Sequence, residues 1–407
     1  MQIVSKWLPM KPLRVLITHV SLDDRSGSAL YVRDLALGLL RAGHLPIVFT
    51  TARGVIGAEL RNATVPVIES LDGLAESPHI IVGNGHPELM CALMHFEDAP
   101  AIHVCHAWDH WITLPPSMKR IRRIAAVDAT CRDWLVCEQG VQPDRVRVVQ
   151  NAVDIDRFRP RGPLPEIPRK ALVFSSYLNE DNGLRVLRRA CAQAGIELDV
   201  IGAAVGKLHA QPESLLGNYD IVFAKARCAL EALAVGTAVV LCNPEVAGPL
   251  VDPDNLEFLW ARNFGRRALH RQLTEGYILE QISRYDPHKC EHVALRVRSE
   301  GNLDRFIERM VALCDEVVEE HRRSPSIDRG EEHAGIAAYI RKTAPLLSEY
   351  YKLAVAEHFA RQENTRLVRE CEELRQAMRG VEREHSLQGH EPRPSGALAC
   401  GDRETSV

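Results

Sequence analysis

Tyr219-Asp220-Ile221-Val222-Phe223-Ala224-Lys225-Ala226-Arg227-Cys228-Ala229-Leu230-Glu231-Ala232-Leu233-Ala234-Val235-Gly236-Thr237-Ala238-Val239-Val240 reads as a strand, a helix and the start of a second strand. The apolar runs 221–224 and 238–242 have strand length, and residues 229–235 between them carry a helical pattern. Strands joined by helices imply a parallel sheet covered on both faces.

The same alternation continues in both directions. Upstream, strands are expected at 171–175 and 198–202 with a helix at 184–194. Before these, prolines at 160, 163, 165 and 168 fix φ repeatedly and remove backbone donors, which marks a linker. Earlier still lies an independent set of strands at 14–20, 47–50, 79–82, 101–105, 124–127 and 146–149. A helix at 30–40 among them is closed by Ala42-Gly43-His44. The expected organisation is an α/β chain of two Rossmann-like domains, residues 1–160 and 161–330, the second ending in a helix over 302–322. A length of 407 residues, more than one core usually supports, agrees with two domains.

From about residue 336 the composition turns to helix rich in Ala, Glu and Arg. Leu346, Tyr350, Leu353, Glu357, Ala360, Asn364, Leu367, Cys371, Leu374, Met378 and Val381 follow the 4-3 spacing of a coiled-coil seam. A helical extension over 331–388 is therefore expected, as an oligomerising coiled coil or as a long helix packed on its own domain. Residues 389–407, small, polar and charged, read as a disordered tail.

Hydrophobic residues at 46% and charged ones at 26% describe an ordinary globular protein, and a net charge of −4 argues against a nucleic-acid-coating surface. Eleven cysteines stand singly, with no C-x-x-C pair, as expected of reduced thiols in a reducing compartment. No signal peptide or membrane span is read from the N-terminus, so the expected location is the cytoplasm.

Three segments carry the candidate chemistry. The strand at 14–20 runs through Asp23-Asp24-Arg25-Ser26-Gly27-Ser28 into a helix, placing backbone N–H groups at a sheet edge where anions bind. Without G-x-G-x-x-G, a dinucleotide site is disfavoured. Arg145-Val146-Arg147-Val148-Val149-Gln150-Asn151-Ala152-Val153-Asp154-Ile155-Asp156-Arg157-Phe158-Arg159-Pro160 forms the second segment, and the stretch 219–240 the third. Glu231, on the helix after Lys225 and Arg227, can accept hydrogen bonds from two ribose hydroxyls or simply complement the helix dipole. His103, His106 and His110 show no tetrahedral partner set, so no metal site is expected. Trp108 and Trp111 suit either a sugar-stacking platform or a packed core.

The second segment resembles the "pNGVD…rF.P" signature of retaining glycosyltransferases of family 4, through Asn151, Val153, Asp154, Arg157, Phe158 and Pro160. The third resembles that family's "lEAmA.G.PVV" donor motif, and the likeness extends over residues 13–322. The resemblance implies the GT-B fold of two facing domains, with the last helices of the second crossing back onto the first. It implies transfer of a sugar from a UDP- or GDP-linked donor to an acceptor hydroxyl with retention, no cofactor and no metal. The departing phosphate oxygen would take the acceptor's proton, and the protein would supply positioning and charge.

Residue by residue, the resemblance implies donor contacts from Gly27, Ser28, Gly202, Glu231, Glu245 and Gly248, and His106 beside the donor sugar. The loop 245–249 is expected to present backbone amides to that sugar. Two departures stand out: Phe223 occupies the position of a second acidic residue, and residues 173–183 lack the family's phosphate-binding arginine and lysine. Lys225 and Arg227 are the expected replacements. The acceptor, a glycan, a lipid-linked molecule or a small molecule, is expected against Asp24, Arg25, Asp109 and Trp111, with peripheral membrane contact left open. Two rivals stay open: a sugar-nucleotide epimerase using Asp24 and Asp109, and a non-catalytic subunit of the same fold.

Overall fold

The computed structural model describes residues 12–324 and 328–388, with side chains up to residue 379. The expected tail at 389–407 lies outside the described residues. Residues up to Ile336 form one compact unit that holds both sheets; the helix from Ala337 onward is described separately.

The first half alternates β1 (Arg14–His19), α1 (Gly27–Arg41), β2 (Leu45–Thr50), α2 (Gly54–Asn62), β3 (Val67–Ile68), β4 (Ile80–Asn84), α3 (His86–His95), β5 (Ala101–Cys105), β6 (Ile121–Ala126), α4 (Ala129–Asp133) and β7 (Val146–Val148). Among the described residues its strands lie in the order β3-β2-β1-β4-β5-β6-β7, all parallel. Ile17 is aligned with Val48 on one side and Val82 on the other. All three are apolar because both faces of the sheet are covered. The strand order reverses between β1 and β4. His19 and Asn84 end these strands, at the crevice where open α/β sheets take ligands.

The second half contains β8 (Lys170–Phe174), α5 (Leu184–Gln193), β9 (Glu197–Ile201), α6 (Glu213–Leu216), β10 (Ile221–Ala224), α7 (Ala226–Val235), β11 (Ala238–Asn243), β12 (Val246–Leu250), α8 (Leu256–Trp260), β13 (Arg271–Gln272), α9 (Glu275–Ser283) and α10 (Pro287–Glu300). Its sheet runs β13-β12-β11-β10-β8-β9, with β9, β8, β10 and β11 parallel. The order reverses between β8 and β10, so Ser175 and Lys225 follow the strands at this sheet's switch point.

One expectation is corrected here. Residues 245–249 are not a free loop: 246–250 form β12, antiparallel to β11. Pro249 is tolerated because β13 pairs only with Val246 and Ala247, so no neighbour needs the missing N–H.

The expected linker at 160–168 has no regular secondary structure. It is anchored by Arg161, whose guanidinium reaches Asp220 at 3.2 Å and whose amide donates to the Val235 carbonyl at 2.9 Å.

α11 (Leu303–Arg323) follows the second half in sequence but packs in the first core. Phe306, Ile307, Met310, Cys314 and Val317 are buried with Tyr31, Val32 and Leu35 of α1, and the Tyr31 and Phe306 rings meet edge to face at 5.3 Å. The chain thus crosses back, as the family resemblance implies. α12 (Arg329–Gln388) closes the described chain. Among the described residues no helix is long and apolar enough to cross a membrane.

Candidate active site

Two groups of charged side chains lie where the halves meet. The first is a run of alternating charge from α1 and α2 to α7. Glu59 takes Arg25 on one side and Arg33 at 3.6 Å on the other. Arg33 reaches Asp34 at 2.8 Å, Asp34 takes Arg227, and the Arg227 Nε donates to Glu231 Oε1 at 2.8 Å. The last three side chains are nearly sealed, with Asp34 7%, Arg227 11% and Glu231 5% exposed. Burial of such charges is tolerated only because each has a partner. Burial alone would raise the Asp34 pKa, but Arg227 and Arg33 outweigh it and hold the carboxyl below its ordinary value. Glu231 has only a share of one guanidinium, and burial leaves its pKa raised against the pull of Arg227. Close by, Arg157 grips Glu213 with two hydrogen bonds of 2.7 and 2.9 Å.

The second group is cationic. Lys225 lies over the Tyr177 ring with Nζ 4.5 Å from its centre. Burial first, and then the positive charge of Arg266, lower the Lys225 pKa; Asp109 in the loop beyond β5 opposes this. The C-terminal edges of the two sheets therefore face each other at Lys225. Neither Lys225 nor Arg266 makes an ion pair with a carboxylate among the described residues. The residue after Lys225, Ala226, has a φ of 49°, a left-handed conformation that costs a residue with a Cβ about 1 kcal/mol or more. Ala226→Gly is expected to stabilise the fold by roughly 0.5–1 kcal/mol, read from the urea midpoint.

At the edge of the first sheet, the His106 Nε2 lies 2.8 Å from Asn84 Oδ1. The Asn84 amide nitrogen points to the Val82 carbonyl at 3.4 Å, so its oxygen faces the histidine. On that assignment His106 donates through Nε2 and keeps Nδ1 as an acceptor. Burial, with the nearby His19 and His103, pushes the His106 pKa down to about 3. The ring is therefore neutral at physiological pH, a hydrogen-bonding group rather than a cation.

His103 Nε2 lies 2.8 Å from the Thr113 carbonyl, which can only accept, and burial lowers its pKa to about 4. The unfolded imidazole titrates near 6.5. Between those values the unfolded chain binds a proton that the folded chain refuses, so this contribution to stability is lost as pH falls through 6.5 toward 4. Relative to a His103→Gln variant, the wild type is expected to lose about 2 kcal/mol more on going from pH 7 to pH 5, measured by urea unfolding at both.

The other sequence-predicted residues fall as follows. Gly27 and Ser28 open α1, Gly27 exposed and Ser28 half-buried. Gly202 approaches Ser175 so closely that an added Cβ would sit 1.8 Å from its carbonyl oxygen, and one on Gly248 would sit 2.5 Å from the Ala268 carbonyl. Both glycines thus answer a packing demand on the spot. The Glu245 side chain is exposed, and its amide donates to the Asn182 carbonyl at 3.3 Å, so it is not open to a sugar. Asp24 accepts from the Ser26 amide and Arg25 pairs with Glu59. Asp109 is exposed near Lys225, while Trp111 stands edge to face with His86 at 5.4 Å. Phe223 is fully buried between Val173 and Val240 in the second core. Among the described residues, no three His, Cys, Asp or Glu side chains converge to hold a metal ion.

Comparison with known proteins agrees with this layout. Residues 25–157 match the model of Glycosyltransferase Family 4. A glycosyltransferase from Rickettsia africae superposes with a TM-score of 0.52 at 15% identity, over 76% of this chain and 99% of that one. Anabaena HepE in complex with UDP and glucose superposes at 0.55 and 13% identity, over 74% and 99%. HepE in complex with UDP-glucose does so at 0.54 and 14%, over 75% and 100%. The chain has the fold of these glycosyltransferases, and its residues 25–157 carry the family 4 match. Its sequence matches no curated protein.

Within this GT-B fold, sequence reasoning singled out Lys225, Arg227 and Glu231 but missed what surrounds them. Arg227 is engaged by Asp34 and Glu231, and the cation near Lys225 is Arg266. Asp34 had one visible signal: Arg33-Asp34 is a charged pair set between the apolar residues Val32 and Leu35 of an otherwise buried helix. Arg266 had none, being an exposed arginine beside Arg267.

Proposed function

We propose that this chain transfers a sugar from a nucleotide diphosphate donor to an acceptor hydroxyl. The observation that carries the reading is Lys225 at the switch point of the second sheet with the charge of Arg266 acting on it, neither cation paired with a carboxylate among the described residues. A diphosphate entering there would supply the counter-charge and would meet the first turn of α7, where amides and dipole favour anions. Arg227 uses Oε1 of Glu231, so Oε2 is the atom offered to a ribose hydroxyl. Neutral His106 would contact the sugar from the opposite edge, with the acceptor toward Asp24, Asp109 and Trp111. The HepE structures hold UDP and UDP-glucose, which supports a uridine nucleotide as the first donor to test. Transfer would proceed with retention and without metal, the leaving phosphate oxygen taking the acceptor's proton while the cations stabilise its charge.

A second reading, a non-catalytic binding subunit of the same fold, is favoured by the engagement of Glu231 with Arg227 and by the buried Phe223. Calorimetric titration with UDP, GDP, ADP and their sugar conjugates, without metal, separates the two. Micromolar binding of one nucleotide is expected; no binding across the panel would overturn the transferase reading in favour of the second.

A further inference from the structure

Leu346, Leu353, Leu367 and Leu374 stand at multiples of seven along α12, with Ala360 completing the series. Tyr350, Glu357, Asn364, Cys371 and Met378 follow each of them by four. In heptad terms the first series is d and the second a. The stripe begins directly after Pro345, the proline inside the helix. Its side chains are uncovered: Leu353 is 68%, Leu374 65% and Met378 64% exposed. From residue 361 the remaining positions other than Val368 and Ala377, such as Gln362, Arg366, Arg369, Glu373 and Gln376, are polar and suit a solvent-facing back.

We propose that a second copy of this chain covers the stripe, forming a parallel, in-register, two-stranded coiled coil over residues 346–378. Asn364 at a specifies the oligomer state and the register, because in a parallel pair each asparagine then meets its mate. Charge sets the direction. In a parallel pair each g residue faces the partner's e residue five positions on, so Glu370 meets Arg375, which has no ion pair within its own chain among the described residues. An antiparallel pair overlapping over the whole stripe would instead set Glu363 against its own mate and leave Glu370 opposite Ala356. Glu357 at an a position carries its own counter-ion, Arg361, at 2.7 Å.

The test uses the full chain. Light scattering is expected to give twice the 45.5 kDa chain mass. Leu367→Glu with Leu374→Glu should raise the dimer dissociation constant more than about 100-fold, with an unchanged urea transition for the globular unit. Direction is read from Cys371, which meets its mate only in the parallel register. Oxidation by diamide takes two protons and two electrons from the thiol pair, leaving one disulfide and the diamide reduced to its hydrazine. The expected covalent dimer disappears in Cys371→Ser. A monomer at micromolar concentration, or a dimer without the Cys371 cross-link, would overturn the proposal. So would a monomer that sediments with phosphatidylcholine–phosphatidylglycerol vesicles, which would assign the stripe to lipid.

Discussion

Arg227→Met is expected to destabilise the protein by roughly 3–5 kcal/mol, the loss typical of a buried ion pair stripped of one partner. The guanidinium serves two nearly sealed carboxylates, Asp34 from α1 and Glu231 from α7. Methionine fills similar volume but leaves both acids facing each other without a cation, apart from the share of Arg33 held by Asp34. One carboxyl would then take up a proton. Its folded pKa would lie above its unfolded value, so the deficit should shrink as pH falls from 7 toward 5. Urea unfolding at both pH values checks this. Adding Asp34→Asn and Glu231→Gln to Arg227→Met should recover most of the loss, because the uncompensated charges go with the cation. A single-variant loss below about 1 kcal/mol would mean that water already reaches the cluster.

Lys225→Ala is expected to weaken UDP binding about 10- to 100-fold, the worth of a charge-assisted hydrogen bond of roughly 1.5–3 kcal/mol. Stability should change little, because the ammonium group's described contact is the half-exposed Tyr177 ring. The decisive comparison is UDP against uridine, titrated into wild type and variant. The wild type should favour the diphosphate strongly, and the variant should lose most of that preference while uridine binds equally to both. An unchanged preference would remove Lys225 from the phosphate site and leave Arg266 to be tested.

How far sequence reading reached follows from the range of the forces involved. The parallel strands were legible because burial on both faces leaves continuous apolar runs such as 221–224. β12 was not, since Gly248 and Pro249 are turn residues by composition and become a strand only because β11 supplies the partner. The crossing of α11 followed from family resemblance rather than from its own residues. In the candidate site Glu231 and Lys225 were named from their segment. Asp34, however, lies 193 residues from Arg227, and no local pattern announces such a pair.

The return of α11 to the first core also bears on the order in which the halves fold during synthesis. Phe306, Met310 and Val317 belong to a core whose strands are all made by residue 148. At 5–20 residues per second, the ribosome needs roughly another 10–35 s to reach the end of α11. The N-terminal half must wait that long with an apolar face of α1 uncovered, while the second sheet, complete by residue 272, can close first. In this chain the half that is born first is the half that finishes last, and its exposed interval is where a nascent-chain chaperone would have work to do.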